Sequence, residues 1–158
     1  MIVLGIDPGT ASMGWGIIKM TQERPILKGY GVVRTHPDQD MHKRLNVLYS
    51  HLDDVAKQYK PEVVVIEKLF FNTNAKTAIS VGQARGVSML VAAQNRADVV
   101  EFTALQAKKY LAGYGRADKD QMQEAVRKIL GISQKIKPDD ANDGVAMALC
   151  YYKLNFLE

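Results

Sequence analysis

One cysteine, Cys150, is all the thiol chemistry in 158 residues, so an intramolecular disulfide and a cysteine-ligated zinc site are both excluded. It falls within VAMALCYY, an apolar helical stretch, where a buried thiol with no chemical role is expected. No window approaches the roughly 20 apolar residues that cross a bilayer. No N-terminal stretch joins a basic start to the apolar run of a signal peptide, so a cytoplasmic chain with no membrane partner is expected. Histidine is scarce too: His36, His42 and His51 fall in a loop or on the first helical pattern and are expected to face solvent without a role. Repeats, low-complexity segments and linkers are missing, which predicts one domain over residues 1–158, long enough to bury a core. Lys and Arg number 21 against 17 Asp and Glu, a formal net charge of +4. That small excess points only weakly to a polyanionic partner, but it grows if several acids are gathered around metal and leave the surface balance.

What is present reads as alternating strands and helices. MIVLGID is a short apolar run stopped by Pro8 and Gly9; GWGIIKM and ILKGYGVVRT follow, parted by TQERP. Their connections are too short for a helical crossover, which predicts three strands in an antiparallel meander. Leu45, Leu48, Leu52, Val55 and Tyr59 recur at helical steps in a segment ended by Pro61. VVVIE has the continuous β-branched character of a strand covered on both faces. From Ala75 to about Asn95 a helical pattern is rich in small residues, among them Ala78, Gly82, Ala84 and Gly86, which let another backbone approach closely. ADVVEFT reads as a strand, TALQAKKYLAG as a helix closed by Gly113, ADKDQMQEAVRKILG as one closed by Gly131, and PDDANDGVAMALCYYKL as a last helix started by proline and acids. The order β-β-β-α-β-α-β-α-α-α predicts one α/β domain, a mixed sheet with helices on its faces.

The unusual feature is where the acids fall. Asp7 ends one apolar strand and Glu67 ends another, although a carboxylate is costly in apolar surroundings unless its charge is compensated. Each alone is as readily the first solvated residue after a strand. As a pair at neighbouring strand exits they mark the edge where α/β sheets place their sites. Asp140 and Asp143 are three apart at the start of the last helix and so share a face. Asp139 is the natural N-cap, and acids in a first helical turn also favour the positive end of the helix dipole, so on that evidence alone capping is the favoured account of all three acids. Gly144, at a cost of ~1 kcal/mol relative to alanine, removes a side chain beside them, and Val145, Ala148, Leu149 and Tyr152 fix the opposite flank inward. Together Asp7, Glu67, Asp140 and Asp143 make four hard oxygen donors. Unneutralised they would repel one another, and Mg²⁺ takes one or two carboxylates per ion, so four suit two ions. Two ions roughly 4 Å apart stabilise both the attacking and the leaving oxygen of a phosphoryl displacement.

GIDPGT, VVIEKLF, VGQARG, the pairing of Lys108 with GRADK and the ending PDDANDGVAMAL occur in order along essentially the whole chain. Together they resemble the RuvC family of bacterial Holliday-junction resolvases. The resemblance implies a ribonuclease-H-like fold, a mixed five-stranded sheet with helices on both faces. It implies a homodimeric endonuclease that cuts two strands of a four-way DNA junction symmetrically in homologous recombination and repair. Two Mg²⁺ ions per site are implied, with Mn²⁺ able to substitute, as are branch-migration motor partners of the RuvA and RuvB type. By position the catalytic and metal-binding acids would be Asp7, Glu67, Asp140 and Asp143, Lys108 and Lys119 would hold DNA near the cut, and Phe70 would stack at the unpaired crossover. Lys68, where a neutral amide is usual, and Gly144, where alanine is usual, depart from the pattern without removing a ligand.

Lys108, Lys109, Arg116 and Lys119 surround a loop containing Gly113 and Gly115, where backbone and basic side chains can approach phosphates. A solvated charged loop is the plainer account; the resemblance favours Lys108 and Lys119, with Arg116 a further DNA-binding candidate. Phe70 and Phe71 are adjacent, so in a strand one would be core and the other free to stack on a base, an interaction of ~1–3 kcal/mol. A junction has two-fold symmetry, which suits a two-fold dimer. The helix of residues 75–95, with Gly82 and Gly86 on one face, is a candidate interface, though packing on its own sheet explains those glycines equally well. Three other classes compete. An actin-like ATPase or sugar kinase also opens on a strand and a D-x-G turn, but needs a second phosphate loop and a second domain. A ribonuclease-H-like nuclease acting on ribosomal RNA precursors would cleave RNA and not junction DNA. A DNA-binding module without chemistry would bind junctions and leave them whole.

Overall fold

Apolar residues two apart in the opening segments leave one face of each strand for each layer of helices. The computed structural model describes residues 1–68 and 75–156. In it IVLGID forms β1 (Ile2–Asp7), followed by β2 (Ser12–Lys19) and β3 (Ile26–Arg34), paired antiparallel in sequence order as their short connections predict. Helix α1 (Met41–Tyr59) ends at Lys60, in the left-handed conformation directly before Pro61, and leads to β4 (Val63–Glu67), parallel to β1. Helix α2 (Ala75–Gln94) crosses back to β5 (Asp98–Phe102), parallel to β4. The five-stranded order is β3-β2-β1-β4-β5. Helices α3 (Ala104–Ala112), α4 (Lys119–Leu130) and α5 (Asp139–Phe156) complete the chain. Each element type expected from the sequence is present in the expected order. No helix among the described residues is long and apolar enough to cross a membrane.

The alternation of β1 and β4 sorts the core into two layers. Val3, Val63 and Val65 pack with Ile18 against α3, α4 and α5, while Leu4, Ile6, Val64 and Ile66 pack with Ile17 against α1 and α2. Helices therefore cover both faces. Leu4, Ile6, Ile17 and Ile66 are fully buried, each such side chain contributing about 1.5–3 kcal/mol. Cys150, on α5, is likewise fully buried, and burial pushes its thiol up to about 12, in keeping with an inert structural residue.

Helices α3 and α4 are closed at both ends. Thr103 and Asp118 each build a capping box, with Gln106 and Gln121, at the starts of α3 and α4. Gly113 and Gly131 end the same helices with φ of 90° and 66°, the left-handed geometry that glycine adopts without penalty.

What sets the position of α5 is backbone-to-backbone contact with the sheet. A Cβ placed on Gly14 of β2 would lie 1.6 Å from the Asp140 carbonyl oxygen, and one on Gly5 of β1 would lie 2.1 Å from that of Gly144. The fit is reciprocal, since a Cβ on Gly144 would come within 2.6 Å of Trp15 Cα. These glycines let the first turns of α5 lie directly over the ends of β1 and β2. Gly14→Ala would force that turn outward, and such overpacking costs about 1–3 kcal/mol. Denaturant unfolding should show a correspondingly lower midpoint at unchanged slope; an unaltered midpoint would contradict the close contact.

Candidate active site

The strand pairing of β1 with β4 runs up to Ile6 opposite Ile66, so the last residues of the two strands, Asp7 and Glu67, stand just past the end of that pairing. Asp7 stands opposite Gly14 across the β1–β2 ladder, and Gly14 is the residue on which α5 rests. Asp140 and Asp143, on one face of α5, are thereby carried over Asp7. Carboxylate oxygens of Asp7, Asp140 and Asp143 lie within 4.8 Å of one another. Glu67 is not in that group of three, but it is near enough to raise the Asp7 carboxyl and lines the same cleft as Asp7 and Asp143, so the four acids selected from the sequence share one region. Ser12, just past the first turn, donates its hydroxyl to Asp140 Oδ2 at 2.6 Å and fixes that carboxylate. No pattern in the sequence singled Ser12 out.

Asp7, Glu67 and Asp143 line a cleft of about 420 Å³, together with Lys108 of α3 and Lys119 of α4. The rest of its wall is apolar and includes Ala107, Met122 and Met147. No local sequence pattern reports that wall, because its residues come from three helices whose relative placement is a property of the fold. Arg116 is exposed in the α3–α4 connection and does not line the cleft. Phe70, with its neighbour Phe71, lies outside the described residues.

The electrostatics follow from gathering acids in a half-buried place. Asp7 is pushed up to about 9, first by loss of water on burial, then by the charge of Glu67, with Asp143 and Asp140 adding to it. Asp143 is raised to about 6, again by desolvation first and by Glu67 and Asp140 next, while Lys119 acts in the opposite direction. Its side chain remains exposed at the cleft rim, so Asp143 is the less constrained of the two. The donors are all carboxylate oxygens, with no histidine or thiolate among the grouped residues, which fits a hard cation such as Mg²⁺ or Mn²⁺.

Two expectations need correction. Asp139 does not cap α5: the Pro138 carbonyl accepts from the Ala141 and Asn142 amides, at 3.0 and 3.3 Å, and Asp139 falls inside the first turn. Its carboxylate instead accepts from Gln123 Nε2 and stands 3.7 Å from Lys119 Nζ, tethering the mobile end of that lysine near the cleft. His51 does not simply face solvent. It is half-buried and its Nε2 accepts the Trp15 indole N–H at 2.9 Å.

The model of the family described as crossover junction endodeoxyribonuclease RuvC matches residues 3–151. A crossover junction endodeoxyribonuclease RuvC of Desulfitobacterium hafniense is 48% identical over 158 residues, covering 99% of this chain and 96% of that one. One from Rubrobacter xylanophilus is 46% identical over 150 residues, covering 95% and 84%. Among solved structures, Thermus thermophilus RuvC in complex with a Holliday junction substrate superposes with a TM-score of 0.93 at 30% identity, covering 99% of this chain and 96% of that one.

Raised carboxyls have a direction in pH. Between about 4 and about 9 the folded metal-free protein holds protons that the unfolded chain has lost, so its stability falls as pH rises through that window. The lowered carboxyls of Asp53 and Glu124 act at more acid pH. Thermal unfolding in chelator should give a lower Tm near pH 8 than near pH 5.5 (about 2.5 pH units apart, inside the window). Added Mg²⁺ should raise Tm more at the higher pH. A Mg²⁺ increment equal at both would contradict a shared, repelling cluster.

Proposed function

The chain belongs to the RuvC family of crossover junction endodeoxyribonucleases, and from that premise we propose that it resolves four-way (Holliday) DNA junctions by paired symmetric nicks, in homologous recombination and DNA repair. The reading is carried by one observation: four carboxylates from three distant segments meet at the exit of β1 and β4, in a fold that superposes on a RuvC holding a Holliday junction substrate. Asp7, Glu67, Asp140 and Asp143 are the catalytic acids and hold two Mg²⁺ ions, with Mn²⁺ able to replace them. When bound, such ions activate water and neutralise charge that develops on the phosphate oxygens. Residues 1–158 act as a single nuclease domain in the cytoplasm.

The chain's own groups define the rest. The attacking water gives one proton to solvent as its oxygen bonds to phosphorus, the bond from phosphorus to the 3′ oxygen breaks in line with it, and the departing oxygen takes a proton from solvent, leaving 5′-phosphate and 3′-hydroxyl ends. Lys108 and Lys119 bind the DNA backbone beside the acids, and Lys119, held by Asp139, offsets charge on the scissile phosphate. Arg116 contributes to the duplex surface outside the cleft, and Phe70 stacks on an unpaired base at the crossover. Two equal cuts call for two copies. A Cβ on Gly86 would meet nothing within 4 Å, so that glycine is not needed for packing on its own sheet, and Ile79 and Leu90 of the same helix are 64% and 50% exposed. This outward face of α2 supports a homodimer in which two such helices meet. Motor proteins of the RuvA and RuvB type bring the junction to it.

A synthetic four-way junction should receive paired nicks at symmetric positions only when Mg²⁺ is present, and a linear duplex should stay intact; comparable cutting of the duplex would refute junction selectivity. Asp7→Asn should abolish nicking and leave junction affinity intact, whereas nicking at the wild-type rate would remove Asp7 from the chemistry. Lys119→Ala should weaken binding and shrink the slope of log affinity against log salt by about 1. An unchanged slope would mean that Lys119 makes no phosphate contact.

A further inference from the structure

Glu67, like Asp7, sits past the end of the β1–β4 pairing. The β1–β4 ladder stops at Ile6 and Ile66, so the backbone of Glu67 is held within the sheet only by β5, where it stands opposite Phe102. What holds it from outside the sheet is Arg85 on α2. The Arg85 Nε donates to the Glu67 carbonyl oxygen at 3.1 Å, and its terminal nitrogen pairs with the Glu101 carboxylate of β5. Glu101 stands in register with Ile66, one residue before Glu67. A single guanidinium thus ties α2, the last residue of β4 and the neighbouring strand together. Its planar fork suits this task, since two donors point in fixed directions at two acceptors, which a lysine cannot reproduce. The Arg85 side chain is only 15% exposed, so its charge depends on Glu101 for compensation.

We propose that Arg85, oriented by Glu101, is a positioning residue that sets the backbone of Glu67 and so aims its carboxylate at Asp7 and the cation site. This rests on Glu67 being a ligand, as argued above. Arg85 belongs to VGQARG, on the helix whose Gly86 faces outward. Arg85 does not itself line the cleft, and its hydrogen bond to Glu67 is to the backbone carbonyl, so it acts through the peptide that carries Glu67. Groups that orient metal ligands in this way typically govern metal affinity by 10–100-fold.

Mn²⁺ titrations followed by thermal shift, junction binding in Ca²⁺ and single-turnover cutting should be compared for the wild type, Glu67→Gln, Arg85→Ala and Glu101→Gln. Arg85→Ala should require at least about 10-fold more Mn²⁺ for half of the stabilisation. It should cut correspondingly slowly at limiting metal and bind junctions as the wild type does. Glu101→Gln, which keeps the volume and loses the charge, should fall between them. A wild-type Mn²⁺ response in Arg85→Ala beside an inactive Glu67→Gln would overturn the positioning role and leave Glu67 in place. Full activity in Glu67→Gln would instead overturn the assignment on which it stands. If Arg85→Ala does not fold, Glu101→Gln decides: weakened Mn²⁺ response supports the proposal and an unchanged one rejects it.

Discussion

Direct contact between the first turns of α5 and the bare backbone of β1 and β2 is the constraint on which the rest of this structure depends. Gly5, Gly14 and Gly144 remove the side chains that would hold the helix away from the sheet. With the helix lowered by that amount, Asp140 and Asp143 reach Asp7, which is more than 130 residues away in sequence. Packing in an interior is dense enough that one methyl at such a place shifts backbone. The site is therefore assembled by what glycine omits as much as by what aspartate supplies.

That assembly works against stability in the absence of a cation. Burial and mutual repulsion drive Asp7 far above an ordinary carboxyl and raise Asp143 less, so the metal-free cleft holds protons it would otherwise shed. The surrounding structure carries this burden. Both faces of β1 and β4 are packed, α3 and α4 are capped at both ends, and Ser12, Arg85 and Asp139 hold, in turn, one acid, one acid-bearing peptide and one lysine. Strain concentrated at a functional place within an otherwise self-consistent fold is the expected pattern for a site that a ligand completes.

Much of this was legible in the sequence, for reasons that can be named. Strand and helix periodicity, short meander turns and glycine helix ends are local signals, and they placed β1 to β5 and α1 to α5 in order. The four acids stood out because their positions, at two strand exits and a helix start, violate the usual partition of charge. The remainder is a matter of distance between segments. Ser12 and Arg85 act through partners 16 or more residues away, and the apolar cleft wall is shared among several helices; no spacing rule reports such arrangements. The local capping rule fails at Asp139 because Gln123 and Lys119 compete for its carboxylate. Amphipathic spacing alone does not place Trp15 against His51.

The most direct measurement is an anomalous-scattering map from crystals of the protein soaked in Mn²⁺. A shared acidic pocket predicts density in contact with Asp7 and at least one of Asp140, Asp143 and Glu67, at roughly the 2.0–2.1 Å typical of small hard cations. Manganese bound only elsewhere on the surface, with those four carboxylates bare, would contradict the account.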